Sequence, residues 1–488
     1  MLEKLAKQTA IYGISTILGR MLGYLLTPFY TRIFGPESYG IITDIYALIP
    51  FALVALTLGM ESGYFRFAAK AEAAGGDVAG AKRRLFATMW GITSLAALLF
   101  FVAVALLREP ISVVMGEAYV AHPEFVVIVA AIVLCDVVGA IPFSRLREEG
   151  RSLTFVALRL GNVALQVALA VAFWVAGLFD TPFGVGWALV ANLIASVATC
   201  LVVATISKTL PRIAWPILGA LFAYSLPLLL SGVAGTAGEF LDRQLIKYLI
   251  PEGSMSQLGI YGAITKIAVV MTLFTQMYRL AAEPFFLSNF RKEEFVAMNA
   301  AAMKYYILVS MAIFLGIALF RDLFALIVGS DFRQGIHILP VVLGANVLSG
   351  VWLNLSFWYK REDKTRYALW VTLSGLVASV VAGFVLIPRW GYYGAAWSRF
   401  VAEVAMVAVS LTLTRIYFPT PYDVRRIAEY VVAGVAIFFV AEYLPIESAP
   451  LRYTTNTLLF VIYAAYAVWR EKIDLRGLVC SIIKRNSR

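Results

Sequence analysis

Several arginine and lysine side chains lie inside long apolar runs of the sequence, where a positive charge is costly. Arg20 interrupts the run ISTILGRMLGYLL, and Arg32 follows in TPFYTRIFGPESYG. A charge in the middle of a membrane costs about 2.5–3.5 kcal/mol on insertion scales, so it needs an acidic partner, a wet interior or an anionic ligand, or it extends to the membrane interface, as Arg32 and Lys247 near helix ends could do. Arginine binds phosphate through a planar fork of N–H donors. We therefore predict a cationic cavity for an anion, with the candidates Arg20, Arg32, Arg243, Lys247 and Lys266.

Acidic residues also interrupt the apolar runs. Carboxylates in such positions can bind a proton or a sodium ion and drive transport, or they can pair with nearby arginines. The coupling ion is H⁺ or Na⁺ on the first interpretation, and passive exchange remains the alternative. We expect no other cofactor and no metal site, because the two histidines do not have metal-ligand spacing. The candidates for ion coupling are Asp44, Glu61, Asp136 and Asp242.

The elements that must position these charges are membrane helices. Hydrophobic residues make up 61% of the 488 residues and charged residues 15%. Apolar runs of about 18–25 residues recur along the chain, and each can cross a bilayer core. A large soluble core would need long polar stretches between the runs, which the sequence lacks. We predict an all-α polytopic membrane protein with fourteen transmembrane helices, at 8–33, 41–66, 85–107, 120–144, 153–178, 184–206, 215–248, 259–283, 303–320, 336–358, 367–388, 392–414, 427–444 and 453–469.

Basic residues in the loops set the orientation. Most of them fall in alternate connecting segments and in the C-terminal tail, and such segments remain in the cytoplasm. Both termini are therefore predicted to be cytoplasmic. The net charge of +11 reflects this bias and contact with anionic lipids, so we expect no nucleic-acid partner.

The sequence repeats itself at an interval of roughly 214 residues. FSRLREEGRSLTFVALRLG (143–161) matches FWYKREDKTRYALWVTLSG (357–375), and two further segments match at nearly the same offset, one of which aligns Arg32 with Lys247. The repeat unit holds six helices, so both copies enter the membrane from the same side, as in a parallel repeat. The predicted organisation is an N-lobe (1–206, helices 1–6), a cytoplasmic linker (207–214), a C-lobe (215–418, helices 7–12), two extra helices (419–470) and a basic cytoplasmic tail (471–488).

One long segment resembles a known family. LLTPFYTRIFGPESYGIITDIYALIPFALVALTLGMESGYFRF is similar to the N-terminal signature of bacterial polysaccharide flippases (O-antigen or Wzx-like) of the multidrug/oligosaccharidyl-lipid/polysaccharide (MOP) exporter superfamily. DRQLIKYLIPEGSMSQLGIYGAITKIA (242–268) resembles the opening of its second lobe, and the similarity in pattern covers roughly residues 8–415.

The resemblance implies a MATE-like fold and a transport function. It implies a transporter in the bacterial inner membrane that flips an undecaprenyl-pyrophosphate-linked oligosaccharide to the periplasmic leaflet by alternating access. The partners that it implies are this polyprenyl-linked glycan, membrane lipids and other polysaccharide assembly proteins.

Two alternatives stay open. Within transport, the chain fits a peptidoglycan-precursor or multidrug exporter of the same superfamily, although intramembrane cations argue against cationic drugs. The alternative from another class is a membrane glycan polymerase or glycosyltransferase. Such an enzyme needs a site outside the hydrocarbon, whereas the longest predicted periplasmic loop has about 15 residues (321–335), so we expect no enzyme activity.

Overall fold

The computed structural model describes residues 24–289, 294–362, 364 and 366–472, and these residues form an all-helical fold without strands. The helix α1 covers 24–33 of the described chain. The next helices are α2 (Pro36–Leu56), α3 (Met60–Ala74), α4 (Val78–Leu106), α5 (Arg108–Met115), α6 (Glu117–Val120), α7 (Glu124–Glu148), α8 (Ser152–Val175), α9 (Gly186–Ser207), α10 (Trp215–Leu249) and α11 (Ser254–Ile267). They are followed by α12 (Val269–Asn289), α13 (Phe295–Ala318), α14 (Arg321–Ala325), α15 (Leu339–Leu355), α16 (Phe357–Arg361), α17 (Arg366–Trp390), α18 (Tyr392–Tyr417), α19 (Val424–Tyr443) and α20 (Ala449–Glu471).

The all-α membrane class predicted from hydropathy is confirmed. In the described chain, 10 helical segments are long and apolar enough to cross a membrane, or 11 if the bent pair α11 and α12 forms one span. The bend between these two helices is 51°. Helices α19 and α20 occupy the last two predicted spans but are not among these segments, and the first predicted span is described only from residue 24. The number fourteen and the cytoplasmic termini therefore stay predictions.

The first of two compact units takes in the described residues up to Lys266 together with Val328–Gly335 and Thr372–Ala402. Helix α7 lies at its centre and packs against α4, α9 and α2. The indole N–H of Trp90 on α4 donates a hydrogen bond to the carbonyl oxygen of Val138 on α7 at 2.9 Å. The core around this contact contains Met60, Tyr64, Phe86 and Ile141, so large apolar side chains fix the spacing of the helices.

Small residues let two helices of the first unit approach each other closely. A Cβ at Gly259 on α11 would lie 1.9 Å from the carbonyl oxygen of Pro36, and one at Gly40 on α2 would lie 2.0 Å from that of Met255. Lipid supplies little hydrophobic force between helices, so close backbone packing of this kind stabilises membrane helix pairs. The contact fixes α11, and hence Lys266, beside α2.

The second unit comprises Ile267–Ile327, Ile336–Val371 and the described residues from Glu403 onward. Its central helix is α13, which packs against α15, α19 and α20. Glu471, the last residue of α20, lies 2.5 Å from Lys304 Nζ on α13 and 3.3 Å from Arg426 Nη1 on α19. These ion pairs join α19 and α20 to α13 at one end of the unit.

Candidate functional site

A polar cavity of about 270 Å³ lies within the first unit. We call it the tyrosine-lined cavity, because four of its lining residues are tyrosines on two consecutive helices. Tyr24 and Tyr30 come from α1, and Tyr39 and Tyr46 come from α2. The spacing of seven residues places Tyr39 and Tyr46 on one face of α2. The remaining lining residues are Leu26, Thr27, Ile42, Thr43, Gln166, Arg243 and Lys266.

Two of the predicted substrate cations, Arg243 on α10 and Lys266 on α11, line this cavity. The Lys266 ammonium lies 5.0 Å from the centre of the Tyr24 ring, within the range of a cation–π contact. The cavity therefore combines positive charge with aromatic faces and hydroxyl groups. This combination suits an anion that also carries hydrogen-bonding groups.

The hydroxyl of Tyr30 is the polar group of the cavity best placed to bind a ligand. The residue is 2% exposed, and its hydroxyl has no hydrogen-bond partner in the described structure. By contrast, Tyr39 donates to Thr27 Oγ1 at 3.4 Å, and Tyr46 accepts from Gln166 Nε2 at 2.7 Å. A buried polar group without a partner costs about 1–3 kcal/mol, which a bound polar ligand would remove.

Lys247, predicted as a substrate cation, does not line the tyrosine-lined cavity. Its ammonium lies 2.5 Å from Asp44 Oδ2, and the two side chains are 4% and 0% exposed. Tyr119 donates to the same Asp44 oxygen at 2.7 Å, and Gln244 Nε2 donates to Oδ1 at 2.6 Å. Burial, together with the neighbouring Asp44 carboxylate, raises the pKa of Tyr119, so its phenol keeps the proton that it donates. Asp44 and Lys247 thus form a buried and satisfied ion pair.

The other predicted charges have different surroundings. Arg32 is exposed, and its Nη1 donates to the carbonyl oxygen of Pro28 at 2.7 Å. It is not among the residues that line the tyrosine-lined cavity. Arg20 lies outside the described residues. The repeat places Arg32 opposite Lys247, but the two side chains differ in burial and in partner.

Asp242, predicted as an ion-coupling residue, lies beside a cation. Its Oδ2 is 3.6 Å from Arg399 Nη1, and the hydroxyl of Ser379 donates to its Oδ1 at 3.1 Å. Ser398 donates to the carbonyl oxygen of Ser379 at 2.7 Å and so holds that residue in place. The two partners of this ion pair are far apart in the sequence, because Asp242 lies on α10 and Arg399 on α18.

Glu61 and Asp136 share a second, smaller polar cavity of about 110 Å³. Arg159 also lines it, and its guanidinium lies 4.3 Å from the centre of the Phe143 ring. Glu61 is held at its rim by Arg147, whose Nη2 lies 3.3 Å from Glu61 Oε2. Of the four predicted coupling acids, these two line a cavity in which an ion or a water molecule could reach a carboxylate.

The sequence did not reveal the tyrosines of the cavity or Gln166. Aromatic residues are common at both membrane interfaces, so their number alone does not indicate a binding site. The signal that could have identified them is the spacing of Tyr39, Thr43 and Tyr46 on α2, which puts polar groups on one face of an otherwise apolar helix.

The chain matches the model of a family described as "Polysaccharide biosynthesis protein" over residues 5–290. None of the curated proteins matches it. Among solved structures, it is similar to the lipid II flippase MurJ in an inward closed conformation, with a TM-score of 0.76, 13% identity and coverage of 95% of this chain and 100% of MurJ.

Two transporters of the MOP superfamily also share this fold. An inward-facing multidrug resistance MATE transporter has a TM-score of 0.67 and 17% identity, with coverage of 84% of this chain and 94% of that one. A transporter from Pyrococcus furiosus, described as having a binding pocket of reverse polarity, has a TM-score of 0.54 and 18% identity, with coverage of 84% and 95%. The chain therefore belongs to the polysaccharide biosynthesis protein family and has the multi-pass helical fold of the lipid II flippase and of MOP-superfamily transporters.

Proposed function

We propose that this protein moves an undecaprenyl-pyrophosphate-linked oligosaccharide from the cytoplasmic to the periplasmic leaflet of the bacterial inner membrane. The observation that carries the proposal is the tyrosine-lined cavity, with Arg243 and Lys266 in its wall, in a member of the polysaccharide biosynthesis protein family. Family and fold are those of transporters, which argues against a glycan polymerase or glycosyltransferase.

The chemistry of the cavity supports this substrate class. A pyrophosphate diester carries about two negative charges and cannot cross hydrocarbon without replacement of its hydration shell. Arg243 and Lys266 supply charge-assisted donors for its oxygens. The rings of Tyr24 and Tyr39 and the hydroxyl of Tyr30 supply apolar faces and a hydrogen bond for the first sugar.

For the transport cycle, we propose alternating access between two six-helix lobes, residues 1–206 and 215–418. We propose Asp136 as the acid that couples this cycle to H⁺ or Na⁺, because it lines a cavity, whereas Asp44 and Asp242 lie beside Lys247 and Arg399. Asp136→Asn should abolish the dependence of transport on the proton or sodium gradient without lowering protein abundance.

A peptidoglycan precursor is the second candidate substrate, and the fold shared with the lipid II flippase favours it. Its pyrophosphate would meet the same two cations. A strain depleted of its lipid II flippase separates the candidates, because only a carrier of the peptidoglycan precursor restores growth there.

The main test is deletion of the gene followed by complementation. The deletion strain should accumulate lipid-linked repeat units in the cytoplasmic leaflet, and the unmodified chain should restore their transfer. Arg243→Ala and Lys266→Ala should each reduce transfer by about ten- to a hundred-fold, since a charged hydrogen bond is worth roughly 1.5–3 kcal/mol. Matched controls are Lys70→Ala and Arg108→Ala, which remove exposed cations outside the cavity.

Two results would contradict the proposal. Normal transfer by both Arg243→Ala and Lys266→Ala, at normal protein abundance, would show that the cavity cations do not bind the substrate. Units that reach the periplasmic leaflet in the deletion strain but stay unpolymerised would indicate a polymerase instead.

A further inference from the structure

A second basic site lies in the first unit, at the segment between α9 and α10. Arg83 and Arg84 near the beginning of α4, Lys208 at the end of α9 and Arg212 in the connecting segment surround a groove of about 1390 Å³. We call it the linker groove. It shares no lining residue with the tyrosine-lined cavity.

All of the charged residues that line the linker groove are positive. All four cations are exposed, and none forms an ion pair with an acid of the described structure. Other cations of the first unit are neutralised by acids: Arg145 pairs with Glu149 at 2.6 Å, and Lys82 lies 2.6 Å from Glu148. Four neighbouring cations without acids repel one another, and an anion placed between them relieves that repulsion.

The groove also carries apolar groups suited to a membrane surface. Leu210 is 84% exposed and Trp215, at the beginning of α10, is 74% exposed. Tryptophan at the end of a membrane helix lies preferentially at the level of lipid headgroups. Cationic and apolar groups side by side match an amphiphile with an anionic head rather than a soluble anion.

The groove is held in its shape by the backbone. The N–H of Arg212 donates to the carbonyl oxygen of Ala87 at 2.9 Å, and the N–H of Ala214 donates to Thr88 Oγ1 at 3.2 Å. Arg145 Nη1 on α7 donates to the hydroxyl oxygen of Thr209 at 3.3 Å. The connecting segment is thus bonded to α4 and α7, so a ligand needs to order little of it.

Lys208 has an unusual backbone conformation for a lysine. Its φ is +47°, in the left-handed region where a helix normally ends in glycine. The chain thus carries a strained charged residue where glycine would be favoured. This places an ammonium group at the carbonyl end of α9, facing the same groove as the three arginines.

We propose that the linker groove binds the phosphate headgroup of an anionic phospholipid of the leaflet that the positive-inside pattern assigns to the cytoplasm. The four cations contact the phosphate oxygens, while Leu210 and Trp215 contact the acyl region next to the headgroup. The occupant is a resident lipid such as phosphatidylglycerol or cardiolipin, held by its phosphodiester group.

The test uses the full-length protein, stripped of lipid in a neutral detergent and titrated with dioleoyl phosphatidylglycerol, tetraoleoyl cardiolipin or dioleoyl phosphatidylcholine. Native mass spectrometry counts bound lipids. The variant R83Q/R84Q/K208Q/R212Q should lose phosphatidylglycerol and cardiolipin affinity by roughly tenfold or more, because each cation near a membrane surface contributes measurably to anionic-lipid binding. Phosphatidylcholine binding should not change.

A charge-matched control separates this site from the general positive surface. The variant K70Q/R366Q/R415Q/R425Q also removes four exposed cations that the topology prediction assigns to the cytoplasm. It should lose less than threefold in affinity. An equal loss in both quadruple variants would overturn the proposal, because the lipids would then respond only to net charge.

Two further arms guard against misfolding and against a soluble ligand. Lys208→Gly removes the charge while relieving the backbone strain, so it should lower lipid affinity without lowering the melting temperature. A melting temperature that falls with lipid affinity would indicate that Lys208 serves only the fold. Inorganic pyrophosphate at millimolar concentration should not displace cardiolipin, and full displacement would identify the groove as a site for soluble phosphates.

Discussion

The buried pair between Asp44 and Lys247 gives the sharpest prediction for stability. Lys247→Met removes the ammonium but leaves a carboxylate that is 0% exposed. Losing one partner of a buried pair costs about 3–5 kcal/mol. Tyr119 and Gln244 still donate to Asp44 at 2.7 and 2.6 Å, so we expect the lower end, about 3 kcal/mol.

Replacement of the other partner, Asp44, should lower the free energy of unfolding by more. Asp44→Asn strands the ammonium of Lys247, whose other described contacts are the rings of Tyr119 and Tyr248 at 4.7 and 5.4 Å. A ring face replaces only about 0.5–2 kcal/mol of the lost attraction, so the cost should approach 5 kcal/mol. The double variant D44N/K247M removes both charges, and it should recover to within about 1.5 kcal/mol of the unmodified protein.

The assay combines steady-state abundance, the melting temperature in detergent and transfer in the complemented deletion strain. Lys70→Met, which removes an exposed cation, serves as the matched control. If Lys247→Met melts like this control, the ion pair does not stabilise the fold and the reasoning is refuted. If the double variant melts normally but does not transport, Lys247 itself has a role in transport, as its sequence position first suggested.

Three further predictions concern other contacts. Arg399→Gln should lower protein abundance, and adding Asp242→Asn should restore it, because Arg399→Gln removes the cation 3.6 Å from a carboxylate that is 5% exposed; recovery by Glu403→Gln alone would contradict this assignment. Gly259→Ala should lower the melting temperature strongly, whereas Gly161→Ala should not, since a Cβ meets a backbone oxygen at 1.9 Å in the first case and no atom within 4 Å in the second; equal melting temperatures would show that α2 and α11 can separate at little cost. In a background without native cysteines, a single cysteine in place of Glu252 should react with an impermeant thiol reagent added on the periplasmic side. A single cysteine in place of Ala74 should react only when the reagent is added on the cytoplasmic side, and reversed labelling would invert the predicted orientation.

Hydropathy predicted the all-helical class and the positions of most membrane helices because each span is a local property of about 20 residues. The roles of the charges are not local. Arg243 and Lys247 lie one helical turn apart on α10, yet one lines the tyrosine-lined cavity and the other binds Asp44. Nothing near them in sequence distinguishes the two, because the groups around them, such as Asp44 on α2 and Lys266 on α11, lie on other helices.

The internal repeat likewise does not predict which charged residues have similar surroundings. The alignment made Arg32 and Lys247 equivalent in depth, but burial depends on the neighbouring helices, which differ between the copies. Partners four residues apart, such as Arg145 and Glu149, are visible from the sequence, whereas Asp242 and Arg399 required the structure.

The first unit is built from three separate stretches of the sequence, and this has a consequence for synthesis of the protein. Asp242 emerges from the ribosome well before Ser379 and Arg399, which complete its surroundings. At about 5–20 residues per second, the nascent α10 must wait roughly 8–30 s in the membrane for these two partners. During that interval the carboxylate depends on water, lipid headgroups or the insertion machinery. Biogenesis of this unit is therefore limited by the late arrival of α17 and α18, and a chain that stops before Thr372 cannot complete it.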